Sequence, residues 1–414
     1  MSFSRLGTKL RASVLAPLLG LERDQDINRF ACIVTLVILG VLNVAILFIS
    51  PVMIGAMVEL LGFSESHAAY IISIELAGIC LATLPALYWS SRVNWRIALL
   101  VALMLMIFGN ILSAISSSYE TLLTLRFLTG LAAGSSMAIC LAILGLTRDP
   151  DRNFGLWVAG QLVFGALGLW VLPQILPELG FGFIYLVIGT LIVGLLFLLR
   201  FLPEQRDVAV AAKRSGEGGQ STGVLLWACA GLLAIFVFYL GQYGIWAYLE
   251  RIGADSGLSP QGIGRTLSVA AIMGIGGALA AALLSARCGR IWPISLGTVI
   301  SILSMFLLSG KLVASQYLIA TSIFSAMFNF ILPYLMACIA SVDISGRFII
   351  LSSFASGAGL AGGPLIAAAV QQPSGYDEVI WVGLCFTLIA LLLIAGLAMR
   401  SSTSTRATPH KLDR

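Results

Sequence analysis

The chain has 414 residues, of which 59% are hydrophobic and 10% charged, with a mean hydropathy of +1.00 and a formal net charge of +5. Soluble domains run about 45–50% apolar and about 25% charged, so the composition excludes a water-soluble protein and predicts one embedded in a lipid bilayer. No contiguous basic face accompanies the positive balance, which excludes a nucleic-acid partner.

Residues 1–29 form a basic arm whose apolar stretch "VLAPLLGL" is too short to span and lacks a small-x-small cleavage site. The expectation is a cytoplasmic arm without a cleaved signal, able to lie on the membrane surface. A helix crosses a bilayer with about 20 mainly apolar residues. Twelve such segments are predicted, near 30–58, 65–89, 97–115, 120–145, 154–172, 182–200, 223–248, 261–285, 292–309, 314–340, 348–370 and 379–399. Runs such as "LIVGLLFLL" do not alternate, which excludes a membrane β-barrel.

The polar, glycine-rich segment 202–222 divides the spans into six and six. Its "SGEGGQST" has neither the lysine nor the preceding strand of a phosphate loop, so a flexible cytoplasmic linker is predicted. The expected organisation is an arm at 1–29, a six-helix bundle at 30–201, the linker, a second bundle at 223–400 and a cytoplasmic tail at 401–414.

Lysine and arginine concentrate in cytoplasmic loops. Placing the N-terminus in the cytoplasm puts 20 of these residues inside and only Arg251, Arg265 and Lys311 outside, with Arg126 within a span. Both termini are therefore expected in the cytoplasm, in a multi-pass plasma-membrane protein of bacterial inner-membrane type. The seven cysteines occur singly, without metal or disulfide spacing, and read as small packing residues.

A shift of 195 residues aligns Gly62 with Gly257, Ser64 with Ser259, Ser90 with Ser285 and Arg92 with Arg287, which predicts that the two halves are versions of one unit. Ser64 and Ser259 stand where helix N-caps belong, and Pro260 takes the first helical position.

The loop "SSRVNWR" at 90–96, its echo "ARCGR" at 286–290, and "RFLTGLAAG" at 126–134 complete the pattern. Together with six plus six helices around a central linker, they resemble the major facilitator superfamily across residues 30–400. Arg92 and Arg96 match basic positions of the family's loop between the second and third helices, while Ser91 replaces its Asp and Asn94 a glycine. Arg287, Gly289 and Arg290 match it in the second half. The resemblance implies gating roles for these residues and a charge clamp on one conformation. Arg126, Gly130 and Gly134 match the family's fourth helix, with Thr129 at a common Gln position. Glycines four apart share one face and permit close helix contact. The resemblance implies an all-α fold of two pseudo-symmetric six-helix bundles, a monomer, and a cavity lined by helices one, four, seven and ten.

Ionisable groups at bilayer depth cost at least about 2.5–3.5 kcal/mol and normally face a cavity or a partner. Glu75 and Arg126 lie about 13 Å and about 9 Å from the outer ends of helices two and four at 1.5 Å per residue. This similar depth permits pairing, with Glu75 as a proton-coupling acid and Arg126 modulating its charge, or with both as a static structural pair. Preferred substrate contacts are Asn43, Gln161, Gln242, Tyr243, Trp246 and Asn329, each with an interhelical hydrogen bond as its alternative. Asn110 reads as structural. The stretch "GQYGIWAYLERIG" at 241–253 combines bending glycines with aromatic surfaces and predicts a gate helix.

These features predict a secondary active transporter working by alternating access, without a nucleotide motif or a cofactor. The solute is a small organic or amphipathic molecule and the coupling ion is a proton or sodium. Proton-driven export is the leading expectation; import of a small metabolite or organic anion is the alternative. The only histidines are His67 and His410, and without metal-ligand spacing or a buried aspartate pair an intramembrane enzyme is not expected.

Overall fold

The computed structural model describes residues 27–90, 92–204, 222–284, 291–342, 347–372 and 375–406. The predicted roles of Arg287, Gly289 and Arg290 lie outside the described residues, as do most of the arm and linker and the end of the tail. Among the described residues the chain is helical, with no strands.

The first span is a pair of helices, α1 (Phe30–Leu42) and α2 (Ala45–Leu61). Spans two to six are α3 (Glu65–Trp89), α4 (Trp95–Ala114), α5 (Tyr119–Gly145), α6 (Pro150–Leu179) and α7 (Gly182–Leu198). Spans seven to twelve are α8 (Thr222–Asp255), α9 (Pro260–Leu284), α10 (Ile291–Leu307), α11 (Ala314–Val342), α12 (Arg347–Val370) and α13 (Asp377–Arg406). Eleven described stretches are long and apolar enough to cross a bilayer, and Trp292–Leu307 is a shorter apolar helix.

Two boundaries depart from expectation. Span five was expected near 154–172, yet α6 carries both Pro173 and Pro177 inside it and runs to Leu179. Span one was expected as one helix, yet it breaks at Asn43 and Val44. Val44 adopts φ −126° and ψ 21°, and its amide turns to Val41 O at 3.3 Å rather than to Gly40 O. Apolar length reports that a span exists but carries no mark of such an interruption.

The repeat inferred from sequence recurs in local geometry. Ser64 caps α3 by accepting from the His67 amide, and Ser259 does the same for α9 with the Gly262 amide, both at 3.2 Å. Gly62 and Gly257 precede these caps with φ of 69° and 77°, a left-handed turn that glycine makes without steric cost.

It recurs again in packing. Within the halves, α3 lies against α5 as α9 lies against α11; between them, α3 meets α12 as α9 meets α6. The α2 and α8 helices, which are repeat counterparts, meet near the pseudo-symmetry axis, Leu47 touching Tyr243, 196 residues on, and Glu59 touching Arg251, 192 residues on. We name the two ends of the molecule after Glu65 and Arg92.

Candidate functional site

The first half encloses an ion pair. α3 supplies Glu75 and α5 supplies Arg126, brought together because α5 offers glycine where α3 passes. A Cβ on Gly130 would run into the Glu75 carbonyl oxygen, and one on Gly134 into that of Ile79. Arg126 Nη1 lies 3.5 Å from Glu75 Oε1, and both side chains are buried. The guanidinium also donates to Asn110 Oδ1 at 3.3 Å and Thr129 Oγ1 at 3.1 Å, and stands 4.4 Å from the centroid of the Tyr185 ring. Asn110 thus holds the arginine, and Thr129 does so from the position where the resemblance has Gln.

The pair is held but not saturated. Among the described residues, Glu75 Oε2, Arg126 Nε and both polar atoms of the Asn43 side chain are buried without a hydrogen-bond partner. Asn43, Glu75, Asn110 and Thr129 line a cavity of about 10 Å³ bounded by the break in the first span, room for roughly one water-sized group. Unpaired buried polar groups are uncommon and costly, and here they converge on one carboxylate.

Gln161 and Tyr243 serve the first span. The break frees the Gly40 carbonyl, which Gln161 Nε2 of α6 reaches at 3.3 Å. Pro51 has no N–H for the Leu47 carbonyl, and α8 supplies donors instead: Tyr243 Oη at 2.9 Å and Trp246 Nε1 at 3.4 Å. Ser50 Oγ also donates to Leu47 O at 3.0 Å and accepts from Tyr243 at 2.8 Å.

The other expected substrate contacts lie apart. Gln242 turns away from the first half and donates to Ser301 and Thr387, each at 3.3 Å. Asn329 is half-buried, donates to Ser325 O at 3.0 Å and packs beside Gly274 of α9. The structure places Asn43 and Glu75 on one cavity with Arg126 paired behind Glu75, ties Gln161 and Tyr243 to carbonyls of the first span, and leaves Gln242 and Asn329 within the second half.

At the Arg92 end, Arg96 donates to Leu202 O at 2.5 Å and pairs with Glu204 Oε1 at 3.5 Å. Asn94 caps α4 by accepting from the Arg96 and Ile97 amides. The loop's buried arginine therefore ties α4 to the segment after α7, within the first half. Arg92, in the turn that follows α3, is exposed and bonds to and stacks on Tyr88 of that helix.

At the Glu65 end a second charged cluster joins the halves, of which the sequence marked only Arg251, as a basic residue on the outer side. Arg251 donates to Glu250 at 2.6 and 3.0 Å and to Glu59 of α2 at 2.8 Å. The Glu250 carboxylate occupies the space above Gly55, and Tyr376 donates to Glu65. The signal was the pairing of small Gly55 with Glu250 across the repeat, which only a fold makes readable.

A profile of the Major Facilitator Superfamily matches residues 36–229. The 4-hydroxybenzoate transporter PcaK of Pseudomonas aeruginosa is 28% identical over 191 residues, 45% of this chain and 42% of that protein. The MFS-type transporter dbaD of Emericella nidulans is 24% identical over 218 residues, 52% of this chain and 48% of that one. The chain thus spans under half the length of these curated relatives. A crystal structure of a D-xylose–proton symporter has the same fold, with a TM-score of 0.73, 16% identity, and coverage of 88% of this chain and 97% of that one. The POT family transporter PepTSo is also similar, with a TM-score of 0.67 at 11% identity, over 91% and 99% of the two chains. With a family match over residues 36–229 and a shared fold over most of its length, the chain is similar to members of the Major Facilitator Superfamily and has their fold.

Proposed function

We propose that the chain is a proton-coupled secondary transporter that exports a small organic, amphipathic compound by alternating access. The observation carrying this reading is the enclosed Glu75–Arg126 pair beside unpartnered Asn43. An acid at bilayer depth is costly and normally functional, and this one has an oxygen without a partner and lines a cavity. Because Arg126 is occupied by Glu75, Asn110, Thr129 and Tyr185, it acts on Glu75 and does not present itself to a solute.

The Arg92 end is the cytoplasmic side in this reading, on the strength of its excess of basic loop residues. The cross-half contacts then seal the outer side. Beyond the Cys80–Phe354 contact, Leu84 and Tyr88 of α3 are exposed toward the cytoplasm. Tyr243 and Trp246 supply aromatic surface between the halves, the feature that suits an amphipathic solute.

The second reading is uptake of an organic anion, and the likeness to a protein named a 4-hydroxybenzoate transporter supports an aromatic acid as that anion. Transport in proteoliposomes with an imposed pH gradient of either sign separates the two. Export predicts accumulation from the cytoplasmic face against inward proton flow, and uptake predicts solute and proton moving together. In either case Glu75→Gln abolishes gradient-driven accumulation while solute exchange continues. Proton-driven accumulation that survives this substitution refutes the coupling role.

A further inference from the structure

We propose that the Leu47 carbonyl is a two-position latch between the halves, held by Tyr243 when the Glu65 end is closed and kept satisfied by Ser50 when it opens. The inference rests on the alternating-access reading and assigns residues to its conformational step.

In an unbroken helix the amide of residue 51 would bond to Leu47 O. Residue 51 is proline, so this carbonyl has no donor of its own at membrane depth. A stranded backbone acceptor in a bilayer is strongly disfavoured, and such positions persist where neighbouring helices or hydroxyl side chains replace the missing donor. Here both kinds are present. Ser50 donates from the same helix at 3.0 Å and Tyr243 from the opposite half at 2.9 Å, with Trp246 Nε1 at 3.4 Å. The single Tyr243 proton is shared with Ser50 Oγ at 2.8 Å, so removing the Ser50 hydroxyl leaves it wholly to Leu47.

The two hydroxyls are not equivalent. Tyr243 leaves with α8 when the halves part, while Ser50 travels with Leu47. Ser50 therefore lets the contact break without stranding the acceptor, which keeps both arrangements accessible. Without it, the acceptor would depend on Tyr243 and favour closure. Leu47 also lines the cavity beside Glu75, so the latch shares a wall with the proposed coupling site.

The prediction is that removing the two hydroxyls moves the equilibrium in opposite directions. Spin labels at Ser117→Cys and Ser315→Cys, exposed positions of the two halves at the Glu65 end, report separation by double electron–electron resonance in a background with native cysteines replaced. Tyr243→Phe enriches the long-distance population, and Ser50→Ala enriches the short one. Each ratio changes by about three- to tenfold, the effect of one net hydrogen bond. Ser50→Thr keeps the wild-type distribution. Pro51→Ala on the Ser50→Ala background returns the distribution toward wild type, because the new amide serves Leu47. Monodispersity and helical content are checked for every variant, and Ser50→Cys replaces Ser50→Ala should the latter fold poorly. Two populations that ignore both hydroxyls, or move the same way, overturn the latch. A single distance under all conditions overturns alternating access itself.

Discussion

Asn43, Glu75 and Arg126 illustrate a site that is stable only in part. Arg126 is fully buried and paired, so its removal strands Glu75. Arg126→Leu is expected to lose about 3–5 kcal/mol, read as a lowered melting midpoint that Glu75→Gln partly restores in the double variant. Asn43 is the reverse case. Its amide is buried without partners, so Asn43→Leu removes an uncompensated polar group. The expected result is a raised melting midpoint, about 1–2 kcal/mol, together with lower proton-driven transport. Loss of stability and of transport together would make Asn43 a structural residue. Gly130 tests the approach that creates the pair: Gly130→Ala drives a methyl into the Glu75 backbone and costs about 1–3 kcal/mol of overpacking. Gly145→Ala, with open space around it, stays near neutral in the same melts.

The elements that matter most are the interrupted ones. The first span has two defects, and each frees a carbonyl that a different neighbour takes: Gly40 by Gln161 of α6, Leu47 by Tyr243 of α8. One irregular helix is thereby joined to its own half and to the other. The charged cluster at the Glu65 end contains two unequal contacts. Glu59 is 45% exposed and Glu250 only 6% by side chain. Exposed pairs contribute about 0–1 kcal/mol, so Glu59→Gln is expected to change the melting midpoint little. Arg251→Leu leaves Glu250 buried and uncompensated, and is expected to cost about 3–5 kcal/mol or to shift the halves apart. At the Arg92 end the same logic separates Arg96, buried against Leu202 and Glu204, from exposed Arg92. Arg96→Ala is expected to lower stability by about 1–3 kcal/mol, and Arg92→Ala to stay within about 0.5 kcal/mol.

Across the whole molecule, the internal repeat sets which surfaces meet. Spans two and eleven keep one antiparallel register from Ser66 with Ala368 to Cys80 with Phe354. A shift of 195 residues carries that register, to within one residue, onto the α9–α6 contact of Gly264 with Leu169. Two equivalent seams flank one axis, a geometry suited to rocking. Rocking predicts anticorrelated distances: labels at Ser117→Cys and Ser315→Cys separate when labels at Ile97→Cys and Trp292→Cys, exposed near the Arg92 end, approach. Double electron–electron resonance under conditions that change the pH or add solute checks this. Distances that change together would indicate swelling of the bundle.

Much of the architecture was legible in composition, because a bilayer demands about 20 apolar residues and internally satisfied backbones from every helix that crosses it. Twelve segments, the repeat with its matched serine caps, and the proximity of Glu75 to Arg126 could all be read from spacing and depth. Spacing could not show where a polar side chain points. Gln242 and Tyr243 are adjacent, yet one bonds within the second half and the other crosses to the first. Neither could it show that Asn43 marks a break, that Pro51 leaves the Leu47 carbonyl to the opposite half, or that Glu250 and Arg251 are buried across an interface. The reason is physical: span length and depth follow from the bilayer, which acts on every residue alike. Hydrogen-bond partnership follows from which helix faces come together, and only the tertiary structure decides that.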